Sequence, residues 1–312
     1  MSREADGAAA FLALVGPTAS GKTEAALQVA EALGAEILSV DSMLVYRGMD
    51  VGTAKPTAEQ RARVPHHLLD LVEPSEPFSV AAFQAAARAA ADGVRRRGRR
   101  PLLVGGSGLY FRAVVDDLEF PGTEPEVRGA LEDEAAALGP ARMYRRLVSL
   151  DPVAASRIEP GNVRRTVRAL EVAAITGRPL SSYAAAWERY EPGRVRVAGV
   201  RLSTEDLGLR IAARVDGMLA EGWLEEVRSL VDAGFGDWLT ASQAIGYAEL
   251  ARHLAGELDL EDAVRQTVAR TRALARRQMA WFRRDPRIRW FDAGSNGAAE
   301  VVDRIVAHLE TA

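Results

Sequence analysis

Residues 12–27 read LALVGPTASGKTEAAL, and Gly16–Thr23 within them fits G-x-x-x-x-G-K-[ST]. The apolar run Phe11–Val15 precedes this loop, and an Ala-rich run follows it as far as Gly34. Strand, loop and helix therefore stand in the order the motif requires. Glycine lets consecutive backbone N–H groups face one anion, and the following helix adds the positive end of its dipole. Lys22 brings a mobile charge, and Thr23 a hydroxyl suited to Mg2+. The loop predicts a bound diphosphate. It does not distinguish a fuel from a reactant.

Working outward, Ala35–Val40 reads as a second strand with Asp41 and Ser42 at its C-terminal end. PLLVGGSGLY (101–110) reads as a third, running through glycines into a helix, and VRVAGVRL (195–202) as a fourth. Strands alternating with helices predict a parallel sheet covered on both faces. Residues 122–194 show several short helical patterns and no strand, and from Thr204 the pattern is helical nearly to the end. The expected architecture is an α/β P-loop core from 1–121 and 195–312, with an all-helical insertion at 122–194. Asp41, Asp70 and Asp116 each follow an apolar run, as does the acid that assists Mg2+ in nucleotide-hydrolysing P-loop proteins. Asp41 has the best strand before it, at the sheet end where open α/β folds place their chemistry. It can serve as metal partner or as general base.

With 312 residues, 48% of them apolar, the chain can bury one large core, or one core plus a smaller domain. A net charge of −3 gives no global attraction for a polyanion, so such a partner would be met by local basic patches. The absence of cysteine excludes disulfides, thiolate catalysis and Cys-ligated zinc. His66, His67, His253 and His308 are too scattered for an all-His metal site. AAAFLALVG (8–16) looks like a leader core, but Arg3, Glu4 and Asp6 precede it and it leads straight into the loop. No apolar run approaches the roughly 20 residues that span a bilayer. A soluble cytoplasmic chain with no membrane partner is expected.

SVDSMLVYRGMDVGTAKP (39–56) narrows the reading further. With GPTASGKT, PHHLLDLVEPSEPFS, PLLVGGSGLY, NVRRTVRALEV, QAIGYAE and TRALARRQMAWFRR, it resembles the tRNA dimethylallyltransferases over almost the whole chain, in order. The resemblance implies transfer of a dimethylallyl group from dimethylallyl diphosphate to N6 of adenosine 37, beside the tRNA anticodon. It implies Mg2+ as cofactor and the anticodon stem-loop as partner, and a monomer is expected. Gly16, Thr18, Ala19, Ser20, Gly21, Lys22 and Thr23 would hold the diphosphate, with Thr23 on the metal. Asp41 would be the base, assisted by Ser107, which stands where the family more often has Thr. Ser42, Met43 and Leu44 would line the adenosine side, Leu44 standing where many members have Gln. Arg128, Arg164, Arg165, Thr166, Val167, Arg168, Gly246 and Tyr247 fall where family members touch tRNA. No Cys/His element follows Trp281–Arg284, so no zinc finger of the eukaryotic kind is expected.

In DLGLRIAARVDGML (206–219), Leu207, Ile211, Val215 and Met218 form an apolar helical face. Arg210 has Asp206 four residues earlier, which predicts a surface ion pair. Arg214 has no acid three or four residues away and falls at a pyrophosphate contact of the family. The run Arg95–Arg97 with Arg99 and Arg100 suits a solvated helix C-terminus. Arginines of the late helix lie on more than one face and cannot all touch one ligand; Trp281 and Phe282 are expected to pack against the sheet. Two rivals remain at this point: a P-loop kinase of a nucleoside or small metabolite, and a non-catalytic RNA-binding protein.

Overall fold

The computed structural model describes residues 10–116 and 118–310. Residues 1–9, which include the acidic and basic flank of the leader-like run, lie outside the described residues. The first half runs β1 (Phe11–Val15), α1 (Lys22–Leu33), β2 (Ala35–Ser39), α2 (Ala58–Arg63), β3 (His66–His67), α3 (Val80–Arg96), β4 (Arg100–Gly105) and α4 (Gly108–Val115). Five short helices follow: α5 (Pro125–Leu138), α6 (Pro140–Leu150), α7 (Pro152–Ala155), α8 (Val163–Thr176) and α9 (Ala184–Trp187). The chain closes with β5 (Val195–Arg201), α10 (Thr204–Ala220), α11 (Trp223–Asp232), α12 (Tyr247–Leu254), α13 (Leu260–Phe282), β6 (Ile288–Asp292) and α14 (Val302–Glu310).

The strands form one parallel sheet in the order β3-β2-β4-β1-β5-β6. Leu12 faces Leu102 on one side of β1 and Arg196 on the other. Being central, β1 is covered on both faces, which explains its unbroken apolar sequence. One face packs with Ala25, Ala26 and Val29 of α1 and Ile305 and Leu309 of α14. The other packs with Phe83 of α3, Phe111 of α4, Trp223 of α11, Tyr247 of α12 and Phe282 of α13. Each fully buried side chain of this size contributes about 1.5–3 kcal/mol.

Two strands depart from the sequence expectation. The C-terminal region is not helical throughout, because β6 pairs along β5 from Ile288 to Asp292. Its pattern is hidden by polar edge residues: Arg289 and Asp292 are exposed, while Ile288 and Phe291 are buried. β3 is only two residues long and carries no periodicity to read.

Residues Asp117–Tyr190 form a compact unit of their own, its limits a few residues before the expected 122 and 194. Its core joins Leu131, Met143, Leu147, Val167 and Leu170. Beside that core lies Glu171, fully buried, accepting from Arg128 Nη2 at 2.6 Å and Arg168 Nη1 at 2.7 Å. Burial pushes its carboxyl up, but the two arginines overcome this and hold it below the usual carboxylate range.

Candidate active site

The phosphate loop leaves β1 and turns sharply before α1. Ala19 and Gly21 take the left-handed conformation, at φ 62° and 81°. For alanine this costs roughly 1–2 kcal/mol, so neighbouring contacts must hold it. Arg210 supplies one, donating from Nε to the Ala19 carbonyl at 2.8 Å and from Nη1 to the Ser295 carbonyl at 2.9 Å. The expected pair with Asp206 does not form; Asp206 instead accepts from the Ser203 hydroxyl. Two backbone carbonyls, one of them in the loop, give Arg210 fixed partners, whereas an acid on the same helix offers little.

Thr18 is braced from two helices. Its N–H donates to Gln278 Oε1 of α13 at 2.8 Å, and its hydroxyl accepts from Arg214 Nη1 of α10 at 3.2 Å. Gln278 was not legible from the sequence as a site residue. Its amide approaches Gly106 so closely that any β-carbon there would overlap it. Lys22 folds over its own loop, donating to the Pro17 carbonyl at 2.5 Å and the Ser20 hydroxyl at 3.2 Å. Burial pulls its ammonium down to about 7, helped by nearby Arg214 and opposed by Asp41. Burial also lowers Arg214, again against the pull of Asp41.

Asp41 follows β2, and its Oδ1 accepts from the Met43 N–H at 2.9 Å, which fixes the carboxylate and leaves its second oxygen for a ligand. Ser107 caps α4: its Oγ accepts from the Tyr110 N–H at 3.4 Å, and its own N–H donates to the Val40 carbonyl at 3.3 Å. Asp41 and Ser107 are thus tied to the ends of adjoining strands. The other acids considered are engaged elsewhere. Asp70 pairs with Lys55 and Arg61, and Asp116 with Arg112 and Arg287. Among the described residues no group of three or more His, Cys, Asp or Glu could hold a metal ion.

Two cavities meet at this point. One, of about 680 Å³, is lined by residues 18–24 of the loop with Ile37, Ser39, Asp41 and Leu44. The other, of about 700 Å³, is lined by Asp41, Ser42, Met43, Trp223, Tyr247 and Arg277 among others. Thr18, Asp41, Thr53 and Arg214 line both. Thr53 was also missed, although the stretch DVGTAKP that carries it had drawn notice. Its loop is held by Glu226, which accepts from the N–H groups of Asp50 and Val51 at 2.8 Å each and Gly52 at 3.2 Å. Lys55, buried, ties the loop's other end to Asp50, Asp70 and the Tyr46 carbonyl.

Several residues expected at the tRNA have internal roles. Tyr247 is fully buried, its hydroxyl donating to Glu226 at 2.6 Å, and Gly246 N–H donates to Glu249 at 2.7 Å. In the insertion, Thr166 and Val167 are buried, because the apolar face of α8 turns them into the unit's core. Arg128 and Arg168 are spent on Glu171, while Arg164 and Arg165 are exposed. The run near Arg97 closes α3 as expected, with Arg95, Arg96, Arg97 and Arg99 exposed; Arg97 also pairs with buried Glu36, and Arg100 donates to the Leu309 carbonyl. Phe282 is buried against Phe111, whereas Trp281 lies over Gly108 and stays 42% exposed.

A parallel sheet with this loop at the end of its central strand and helices on both faces defines a P-loop protein. The IPP transferase family model matches residues 44–285, and that of the isopentenyl transferases matches 9–70. The chain belongs to the IPP transferase family. It is 50% identical over 299 residues to a tRNA dimethylallyltransferase of Salinispora tropica, covering 96% of this chain and 93% of that protein. It is also 50% identical over 281 residues to one of Geobacter metallireducens, covering 89% and 90%. The structure of the full-length tRNA isopentenylpyrophosphate transferase from Bacillus halodurans superposes with a TM-score of 0.70 at 39% identity, over 96% of each chain.

Proposed function

We infer that the chain is a tRNA dimethylallyltransferase, moving a dimethylallyl group from its diphosphate to N6 of adenosine 37 and releasing pyrophosphate. The observation that carries this is the lining of two cavities by one carboxylate, Asp41, beside Thr18, Thr53 and Arg214. A diphosphate in the loop cavity and a base in the other would meet at Asp41; a nucleoside kinase also joins two such sites, and the 50% identity to tRNA dimethylallyltransferases favours prenyl transfer.

The exocyclic amine of adenine is a weak nucleophile because its lone pair is delocalised into the ring. As N6 bonds to the allylic C1, the C1–O bond breaks and its electron pair leaves with the diphosphate. The N6 proton passes to Asp41, which raises electron density on nitrogen as the new bond forms. Loop N–H groups of residues 18–23, Lys22 and Arg214 stabilise the charge growing on the diphosphate. The Ser107 hydroxyl accepts from Tyr110 and so keeps its proton for the adenine edge.

Mg2+ fits these donors, since a hard cation takes oxygen ligands and Thr23, in the first turn of α1, lines the loop cavity with a hydroxyl side chain. Thr23 would hold the ion, which when bound supplies further positive charge to the leaving group. On the RNA side, Ser42 and Met43 would line the adenosine, whereas Leu44, expected with them, lies on the loop cavity; the nucleotide must leave its stack to reach Asp41. In a single-stranded anticodon loop that cost is at the low end of a few kcal/mol. Exposed Arg164 and Arg165 are the phosphate contacts of the insertion. A cytoplasmic monomer suits this task.

Incubating the purified chain with tRNA and dimethylallyl diphosphate, without ATP, tests the reading. A five-carbon mass gain on one adenosine supports it. ATP consumption with no prenylated nucleoside contradicts it.

A further inference from the structure

Ser39 ends β2 only 4% exposed, and among the described residues its Oγ has no hydrogen-bond partner. A buried hydroxyl left unpaired is disfavoured, and a native one calls for a missing ligand or water. The two-residue repeat of a strand puts Ile37 and Ser39 on one face of β2, and both line the loop cavity together with Asp41, which follows the strand. Ile37 packs in the same core as Ala25, Ala26 and Val29 of α1, so this face of β2 looks onto the helix that carries Thr23 in its first turn. Two hydroxyls, Ser39 from the sheet and Thr23 from the helix, therefore border the diphosphate cavity. Of the three acids that the sequence offered as metal partners, Asp70 and Asp116 are committed to ion pairs. Asp41, one pleat further on, reaches the second cavity as well.

We propose that Ser39 is the sheet-side anchor for the water shell of the magnesium ion, accepting a hydrogen bond from a magnesium-bound water. The proposal rests on the reading that the loop holds a diphosphate. Magnesium gives up its waters reluctantly and is commonly bound through phosphate oxygens and few protein ligands. A hydroxyl serves that water without adding negative charge. Lys22 and Arg214 then remain available to the diphosphate instead of being neutralised by a second carboxylate.

Calorimetric titration of the full chain with inorganic pyrophosphate, in EDTA and in excess Mg2+, tests this. Wild type should bind more tightly with Mg2+. Ser39→Ala removes one atom from a buried site, and its affinity in EDTA should stay within about twofold of wild type. Its gain from Mg2+ should fall by about three- to tenfold, the scale of one hydrogen bond. Mn2+, followed by its electron paramagnetic resonance in the pyrophosphate complex, should bind more weakly by the same factor. An unchanged gain from Mg2+ overturns the proposal. So does an equal loss in EDTA and in Mg2+, which marks Ser39 as a packing residue or a direct anion contact. Failure of wild type to bind pyrophosphate under either condition overturns the diphosphate reading itself, and the proposal with it.

Discussion

Arg214 reaches from α10 to the Thr18 hydroxyl at 3.2 Å, which places a guanidinium on the phosphate loop without an acid to neutralise it at that contact. It also lines both cavities. A hydrogen bond to a charged group contributes about 1.5–3 kcal/mol. Arg214→Ala should therefore raise the KM for dimethylallyl diphosphate by about ten- to a hundredfold. The Kd for tRNA should change little. Steady-state kinetics with each substrate varied in turn, beside a tRNA binding assay, separates the two. A loss confined to tRNA binding would remove Arg214 from the diphosphate site.

The lowered pKa of Lys22, about 7, predicts a pH-dependent affinity for the donor. A diphosphate favours the charged ammonium, so the pKa rises on binding. Below pH 7 the free lysine is already protonated and this dependence is absent. Above pH 7 binding must take up a proton, and Kd should increase by up to about tenfold per pH unit until the pKa of the complex is reached. A dimethylallyl thiodiphosphate analogue, titrated from pH 7 to 9, should show this slope. Lys22→Arg, which stays charged, should flatten it. A slope that survives Lys22→Arg would assign the proton to another group.

The strand–loop–helix of residues 11–33 and the ends of β2 and β4 were legible because motif, apolar runs and glycines coincide there. What sequence left hidden has a common physical cause. Gln278 and Thr18 are 260 residues apart, and only folding brings their amide and N–H together. Glu226 likewise finds its three N–H partners across the fold, and one of two adjacent Glu residues at the start of an amphipathic helix gives no sign of that. Arg210 misled because its sequence neighbour Asp206 offered a local partner, while the carbonyls it uses lie at positions 19 and 295. Arg128 and Arg168 carried a basic signal that the buried Glu171 absorbs. Charge read along a chain does not reveal what the charge faces.

Glu226 holds the backbone of the loop that carries Thr53 and also accepts from the buried Tyr247 hydroxyl. Glu226→Ala should leave these donors unmatched and cost on the order of 2–3 kcal/mol. Thermal unfolding should show a lowered Tm, and prenyl transfer at a permissive temperature should fall as Thr53 loses its fixed place. A variant with unchanged Tm and rate would show that the loop holds itself.

Glu171→Ala should loosen the insertion without touching the sheet. Removing the shared acid leaves Arg128 and Arg168 with no carboxylate, and breaking a buried pair costs about 3–5 kcal/mol, less here because both arginines are partly exposed. Hydrogen exchange should quicken in α5 and α8 while β1 and β4 keep their protection. The depressed pKa of Glu171 gives the same region an acid sensitivity. Its stabilisation is complete above the ordinary carboxylate pKa and is lost as pH falls through the lower folded value. Wild-type exchange in α8 should accelerate below about pH 4, and the variant should lack that step.

Asp41 is the residue on which the whole reading turns. Single-turnover prenyl transfer by Asp41→Asn, with tRNA Kd measured on the same preparation, tests it most directly. The amide keeps the shape and the acceptor oxygen for Met43 but cannot take the N6 proton. Turnover should drop by about two to four orders of magnitude, with tRNA affinity within a few-fold of wild type. Transfer at the wild-type rate would contradict the assignment of Asp41 as the base.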